Sequence, residues 1–141
     1  MTGRVVRAEI SAEPIDAGSH ETLVADSAAG AVVTFCGAVR DHDGDRRVVS
    51  LEYVGHPSAM GTVRAVAARA AERPGVLAVA VSHRVGTLAI GETALVATIS
   101  SAHREAAFAA CAQLVDELKH ELPIWKRQAF DDGTDEWVNC P

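Results

Sequence analysis

Residues 31–39 form a nearly continuous apolar run rich in β-branched side chains, and this run predicts a buried strand. Strand and helix signals then alternate without the strict repeat of a parallel α/β fold. The predicted strands cover residues 5–10, 31–39, 48–54, 76–85, 93–100 and 124–130, and the predicted helices cover residues 13–26, 58–73 and 102–121. The pattern indicates an α+β fold, with an antiparallel or mixed sheet and two long helices.

Proline, glycine and a hydroxyl side chain mark the predicted ends of these elements. Pro74 and Gly75 end the helix over 58–73, and Pro123 ends the last helix because the residue before proline avoids helical dihedrals. Ser101 is the predicted N-cap of that last helix. With 141 residues and no repeat or linker, the chain is expected to form one domain over residues 1–141.

Composition and charge exclude several classes of protein. A formal net charge of -6 argues against general nucleic-acid binding, which needs a basic face. No apolar run approaches the ~18 residues of a membrane span, and the first residues do not have the pattern of a signal peptide. The three cysteines are an odd number without CxxC spacing, so we expect free thiols and a cytoplasmic location.

The helix over 102–121 carries a lysine on its apolar side. At about 100° per residue, Lys119 falls beside Phe108, and Arg104 falls near the centre of the same stripe. The other apolar residues of this stripe are Cys111, Val115, Leu118 and Leu122. Burying an ammonium costs several kcal/mol, roughly, unless it is paired or deprotonated.

A second lysine, Lys126, follows on the strand after Pro123 and shares a strand face with Ile124 and Gln128. Burial and a second ammonium nearby both lower a lysine pKa, which suits lysine for proton transfer or covalent chemistry. The alternative is that Lys119 and Lys126 are ordinary surface charges.

A second group of candidates lies where the helix over 102–121 begins. His103 and Arg104 follow two serines at a point where four backbone N–H groups lack partners. A cation there opposes the helix dipole by ~0.3–1 kcal/mol, whereas a bound phosphate would reverse the sign. The alternative is that Arg104 pairs with an acid on the surface.

The remaining candidates are weaker. Arg40 follows the buried strand over 31–39, which is either a ligand position or an ordinary hairpin loop. We expect a structural role for His83 and Arg84, which lie inside a strand. The sequence contains no Walker loop, GxGxxG, GxSxG or HExxH motif, and its six histidines are scattered, so we expect neither a metal site nor a cofactor.

Several short blocks in order along the chain resemble one known family. They include Ser-Ala-His-Arg at 101–104 and Pro-Ile-Trp-Lys at 123–126, and the others lie at residues 30–42, 83–86, 91–92, 118–119 and 137–138. In this combination the chain resembles the large, catalytic subunit of molybdopterin synthase. The resemblance runs from about Val5 to Val138 and implies a hammerhead-like α+β fold.

The resemblance also implies an activity. Members of that family convert cyclic pyranopterin monophosphate into molybdopterin, with sulfur delivered as a thiocarboxylate on the C-terminal glycine of a small ubiquitin-like subunit. By similarity Lys119 and Lys126 are catalytic, and Arg40, His103 and Arg104 bind the substrate's phosphate and pterin. The family assembles as a central homodimer with a small subunit at each end, a heterotetramer, and its substrate pocket lies near the dimer interface.

The chain departs from the family pattern at two places. Residues 54–57 are Val-Gly-His-Pro where Glu-Ala-Tyr-Pro is usual, and Gln128 replaces a frequent glutamate. Two other functions stay open from the residues alone: a non-catalytic adapter that docks a ubiquitin-like tail, and an anion-binding domain without a reaction. Lys119 and Lys126 separate the enzyme from both, since neither alternative needs two lysines in a substrate pocket.

Overall fold

The computed structural model describes residues 2–140, with the backbone alone for residues 139 and 140, so the thiol of Cys140 lies outside the description. The strands are β1 (Arg4–Ser11), β2 (Ala31–Ala38), β3 (His42–Asp43), β4 (Arg46–Gly55), β5 (Val76–Arg84), β6 (Gly86–Ala89), β7 (Thr93–Ser101), β8 (Ile124–Phe130) and β9 (Asp135–Cys140). The helices are α1 (Ala17–Val24), α2 (Ala59–Glu72) and α3 (Arg104–Glu121). The predicted α+β fold, with α2 and α3 as its long helices, is confirmed.

Four strands form the sheet that carries most of the core, in the order β1-β5-β7-β2. Strands β1 and β5 are parallel, and the other two pairs are antiparallel. In the register of this sheet, His83 of β5 lies opposite Leu95 of β7, which lies opposite Gly37 of β2. These three residues therefore form one row across the sheet.

Helices cover both faces of this sheet. On one face Val79 and Val81 belong to the main core with α2 and α3, and on the other Ala78 and Ala80 pack against Val24 of α1. Because β5 and β7 are covered on both sides, their sequences are apolar almost without alternation.

Strand β2 does not have the environment that its sequence predicted. It is an edge strand rather than a buried one, and Val32 and Phe35 are among its exposed side chains. The β-branched side chains of β2 suit a strand that pairs with β7, but the helices leave part of its surface exposed to solvent.

The second sheet is antiparallel, and its strand β8 follows α3 directly along the chain. Its strands run in the order β3-β4-β8-β9, and β6 pairs with β4 as well. Tyr53 of β4 lies opposite Lys126 of β8. The short strand β6 was not predicted, because Gly86 and Gly91 suggested a plain connection between the neighbouring strands; both glycines have positive φ angles, 98° and 88°.

The helix starts differ from the predicted ones. α1 begins at Ala17 rather than near residue 13, because the Asp16 carboxylate accepts hydrogen bonds from the backbone N–H groups of Gly18 and Ser19. α3 begins at Arg104 with His103 as its N-cap. Ser101, the predicted cap, ends β7 and donates to the Gly75 carbonyl oxygen at 2.8 Å.

The buried side of α3 is also displaced from the predicted stripe. Its buried residues are Ala107, Ala110, Cys111, Leu114, Val115 and Leu118. Phe108 is 61% exposed, and Lys119 and Arg104 are exposed as well. The prediction that both cations lie on the buried face is wrong, because the most buried residues of α3 are Ala107, Ala110, Leu114 and Leu118, which leave Phe108, Arg104 and Lys119 outside the buried face.

Cys36 and Cys111 are free thiols. Within residues 2–140, no helix has the length and apolar character needed to cross a membrane.

The core predicts a matched pair of stability changes. Ile99→Ala in β7, where the side chain is 0% exposed, should lower the free energy of unfolding by about 2–5 kcal/mol, because it leaves a cavity between packed layers. Ile90→Ala, at a site that is 38% exposed, should lower it by less than about 1 kcal/mol. Urea unfolding measures both, and equal losses would contradict the assignment of the core.

Candidate active site

A cavity of about 380 Å³ opens where the two sheets meet the last turn of α3. Its size falls in the range of small-molecule sites, which runs from roughly 300 to 1,000 Å³. We call it the lysine cavity; its lining residues are Phe35, Gly37, Ala38, Arg40, Tyr53, His83, Ala94, Leu95, Lys119 and Lys126.

Regular elements position both lysines. Lys119 lies in the last turn of α3, directly after the buried Leu118 that fixes the helix against the sheet. Lys126 lies on β8 on the same face as the buried Ile124 and Gln128, as its spacing predicted. The structure therefore brings the two amines to one cavity from different elements.

The lining carries positive charge and no carboxylate. Arg40, Lys119 and Lys126 contribute three cations in a chain whose formal net charge is -6. Asp43, which is not a lining residue, lies 3.9 Å from the Arg40 guanidinium and compensates part of this charge. A cavity of this kind attracts anionic ligands.

Asp43 stays ionised beside the cavity. The Gln128 side-chain amide donates to its carboxylate at 2.8 Å, and this hydrogen bond, aided by the charges of Lys126 and Arg40, lowers the pKa of Asp43. Gln128, one of the departures from the family pattern, thus serves as a donor to an aspartate, which a glutamate at this position could not do in its ionised form.

Lys119 and Lys126 are the only lysines in the chain, whose 13 basic residues otherwise are all arginines. An arginine side chain keeps its proton under all ordinary conditions, whereas an ammonium can give its proton up. That both lysines line one cavity indicates a site that needs amines, and the composition already contained this signal.

His83 also lines the cavity, although its sequence context predicted a structural role. Its side chain is 3% exposed, and its Nδ1–H donates to the Arg84 carbonyl oxygen at 2.7 Å. Burial lowers the pKa of His83 from 6.5 to about 4; the hydrogen bond to Arg84 opposes this shift and the Lys119 charge adds to it. His83 is therefore a neutral imidazole at physiological pH. Arg84 does have the expected structural role, since it pairs with Glu92 at 3.0 Å.

His103 and Arg104 lie apart from the lysine cavity within one chain. They stand at the start of α3, and Lys119, 15 positions after Arg104, lies about 22 Å further along the helix. Both side chains are exposed. Within residues 2–140 Arg104 forms no ion pair, so the structure does not support the alternative that Arg104 pairs with an acid on the surface. Three of the five predicted site residues share a cavity, and two do not.

An apolar hollow of about 370 Å³ adjoins the lysine cavity. It lies between the edge strand β2 and α3, and Phe35 lines both spaces. Its other lining residues are Val33, Thr34, Phe108, Cys111, Ala112, Val115 and Asp116.

A larger depression, of about 470 Å³, runs along another side of α3. Two of its lining carboxylates, those of Glu117 and Glu121, are paired with Arg69, and Arg73 in its lining donates to the side-chain oxygen of Gln113. The lysine cavity is the better candidate because its cations have no such partners among its lining residues.

The family model described as MoaE protein matches residues 10–121. The chain belongs to the MoaE family. The molybdopterin synthase catalytic subunit of Nostoc sp. strain PCC 7120 is 39% identical over 132 residues, which cover 92% of this chain and 80% of that protein. The matched region of the MoaE family model includes every cavity residue except Lys126.

Solved structures agree with this family. Molybdopterin synthase from Staphylococcus aureus superimposes with a TM-score of 0.86 at 30% identity, over 93% of this chain and 96% of that one. A chain of the complex of subunits 1 and 2 of molybdopterin-converting factor from Helicobacter pylori matches with a TM-score of 0.69 at 17% identity, over 96% and 88% of the two chains, which shows the shared fold.

The resemblance predicted from the sequence is confirmed, and with it the expectation of an enzyme, a catalytic subunit of molybdopterin synthase. The roles of Arg40, His103, Arg104, Lys119 and Lys126 stay predictions. No three His, Cys, Asp or Glu side chains in the described part of the chain are grouped so that they could hold a metal ion. The expectation that the MoaE-family site works without a metal also stays a prediction.

The buried imidazole predicts a pH dependence of stability. In the unfolded chain His83 takes up a proton near pH 6.5, and in the folded chain only near pH 4, so between these values the unfolded state binds more protons. The contribution of His83 to the free energy of unfolding should be complete above pH 6.5 and be lost as the pH falls toward 4, up to about 3 kcal/mol.

Urea unfolding between pH 4 and pH 7 measures this contribution. His83→Asn should flatten the pH dependence relative to the parent chain. His120→Asn is the matched control, since His120 is exposed and donates from Nδ1 to the Asp116 carbonyl oxygen in the same manner. If His83→Asn leaves the pH slope unchanged, the neutral buried state of His83 is refuted.

Proposed function

We propose that the chain transfers sulfur in the cytoplasm from the C-terminal thiocarboxylate of a small ubiquitin-like protein to cyclic pyranopterin monophosphate, forming the dithiolene of molybdopterin. The observation that carries this proposal is the lysine cavity, where Arg40, Lys119 and Lys126 meet without a carboxylate. Its lining contains no cysteine, serine or threonine either. A cavity with cations and amines but no such nucleophile suits a reaction whose attacking sulfur is brought by another protein.

Each sulfur transfer can be written with the atoms balanced. The thiocarboxylate sulfur attacks a carbon of the precursor, so that a C–S bond forms and a C–O bond breaks. The resulting acyl thioester is hydrolysed: water adds to its carbonyl carbon, the acyl C–S bond breaks, and the sulfur stays on the pterin as a thiolate. The donor tail leaves as a carboxylate.

The two lysines divide this work. Lys119 neutralises the thiocarboxylate and then the oxyanion that forms when water adds, which is electrostatic stabilisation of developing charge. Lys126 moves protons at the reacting carbons, including the proton that the departing oxygen needs. Lys119 can fulfil its role with a fixed positive charge, whereas Lys126 needs a group that exchanges a proton.

The phosphate of the substrate needs further cations. Opening the cyclic phosphate adds negative charge, which Arg40, His103 and Arg104 would stabilise. Since Arg104 lies about 22 Å along α3 from Lys119, the last two reach the cavity only from a second copy of the chain. The proposed homodimer would supply them.

The position of the apolar hollow supports this arrangement. The midpoint between Arg104 and Lys119 falls at Cys111 and Ala112, which line the hollow together with the exposed Phe108. Two antiparallel copies of α3 that meet on a two-fold axis at this point would each place Arg104 beside the Lys119 of the other. The same contact would bury the exposed apolar side chains of the hollow.

The sulfur donor completes the proposed assembly. One small ubiquitin-like subunit on each end of the homodimer gives a heterotetramer, and its anionic tail would enter the cationic cavity. In support, a structure with this fold from Helicobacter pylori is a complex of subunits 1 and 2 of molybdopterin-converting factor. A protein that only docked the tail, or that only bound an anion, would not need two lysine amines in the cavity that the tail enters.

Substitutions that keep or remove the charge test the two lysine roles. With thiocarboxylated small subunit and precursor, Lys119→Ala should slow molybdopterin formation by roughly 10²–10³-fold, and Lys119→Arg should restore part of the rate. Lys126→Ala and Lys126→Arg should both slow it by roughly 10²–10⁴-fold, because arginine does not exchange its proton.

Arg64→Ala is the control for these variants, since Arg64 is an exposed cation of α2 outside the cavity. It should leave the rate unchanged. If Lys119→Ala forms molybdopterin as fast as the parent chain, the catalytic assignment is refuted, and a tail-docking adapter becomes the better description.

The composite site makes a separate prediction. Arg104→Ala alone should weaken precursor binding by roughly 1.5–3 kcal/mol, as for the loss of a charged hydrogen bond. An equal mixture of Arg104→Ala and Lys119→Ala chains, exchanged into mixed dimers, should regain roughly a quarter of the parent activity, because each mixed dimer contains one intact site. Calorimetry and the synthesis assay measure these effects. Activity no higher than that of the separate variants would contradict a site shared between copies.

A further inference from the structure

The lysine cavity offers many hydrogen-bond donors and few acceptors. Arg40, Lys119 and Lys126 can only donate when they are charged. Such groups suit a phosphate or a thiocarboxylate, which only accept. A pterin ring is different, because its amino group and ring nitrogens also present N–H donors, and these need an acceptor from the protein when they leave water.

The orientation of His83 provides that acceptor. Its Nδ1 lies 2.7 Å from the Arg84 carbonyl oxygen, which can only accept, so the proton of the imidazole is on Nδ1. The lone pair therefore remains on Nε2. Within the described residues, no hydrogen bond involves Nε2 of His83. This nitrogen is also not one of the fully buried polar atoms that lack a hydrogen-bond partner.

The ring is also held in place. Tyr53 packs against it edge to face, with ring centroids 5.0 Å apart and planes at 88°. Tyr53 lies opposite Lys126 in the sheet register, and His83 lies opposite Leu95, which is another cavity residue. His83 is thus fixed at the junction of the two sheets, on the wall of the cavity.

The neighbours of His83 keep the lone pair available. The titratable or charged groups that share the cavity with it are Arg40, Tyr53, Lys119 and Lys126, and none of them is a carboxylate that would favour the protonated ring. Burial and the Lys119 charge both disfavour a cationic His83, so its pKa of about 4 lies far below neutral pH. The acceptor therefore persists at the pH where such an enzyme works.

We propose that His83 is a substrate-binding residue, whose Nε2 accepts a hydrogen bond from an N–H group of the pterin while the cations of the cavity bind the phosphate. This inference rests on the proposed function and adds the residue that recognises the heterocycle. It also gives the cavity a means of selection, since an anion without an N–H donor would leave Nε2 unpaired.

Two substitutions separate an acceptor role from a structural one. In His83→Asn the amide N–H can take the place of Nδ1 and keep the bond to the Arg84 carbonyl, but no atom occupies the place of Nε2. In His83→Gln the longer side chain can bring an amide oxygen near the place of Nε2, while the bond to Arg84 is lost. An acceptor role and a structural role therefore predict opposite orders of damage.

The experiment titrates the parent chain and both variants with cyclic pyranopterin monophosphate, and separately with inorganic phosphate. His83→Asn should weaken precursor binding about tenfold, and His83→Gln should weaken it less. Phosphate binding should be the same in the parent chain and in His83→Asn. In the synthesis assay His83→Asn should raise KM for the precursor by a similar factor, with kcat changed less than about twofold. His120→Asn, outside the cavity, is the control and should match the parent chain.

Three outcomes would overturn the inference: parent-like precursor binding by His83→Asn, greater damage in His83→Gln than in His83→Asn, or an equal loss of phosphate and precursor binding in His83→Asn. The failure of the proposed function has a different signature. In that case the parent chain itself would form no molybdopterin from thiocarboxylated small subunit and precursor, whatever the variants bind.

Discussion

Repulsion between like charges is the constraint around which the site of this protein is built. Arg40, Lys119 and Lys126 come together on one cavity whose lining has no carboxylate, and Asp43 outside this lining compensates part of their charge. The apolar core offsets this unfavourable energy, and it fixes α3 through Leu118 and β8 through Ile124, both of which are buried. An anionic ligand relieves the repulsion when it binds, so the same arrangement that costs stability favours binding.

Much of the fold could be predicted from local chemistry. The central strands and both long helices follow from β-branched runs, helical periodicity, and the prolines at positions 74 and 123. What could not be predicted depends on partners distant in sequence. β2 has the sequence of a buried strand but lies at an edge, and Ser101 has the sequence of a helix cap but bonds to Gly75 in a different element.

The site was predicted in part, for the same reason. A helical wheel placed Lys119 on the buried side of α3, but its side chain is exposed. Lys119 nevertheless lines a cavity, because the two sheets leave a space at the end of the helix. Periodicity describes one helix and contains no information on such an opening. The sequence did not identify His83 as a cavity residue, because the strands and the helix that form the cavity around it are far apart along the chain. Arg104 stands about 22 Å from Lys119 along α3, a distance that follows from the helical rise once both residues are assigned to one helix.

The unequal use of lysine and arginine has a practical consequence for the chemistry of the surface. Reagents that acylate side-chain amines find two targets in the whole chain, and both lie on the wall of the lysine cavity. Labelling of lysine side chains, which is dispersed over the surface of most proteins, is here confined to this cavity, and the eleven guanidinium groups do not react with such reagents. Acetylation of either amine would remove its charge, and a ligand that covers the amines should slow the reaction.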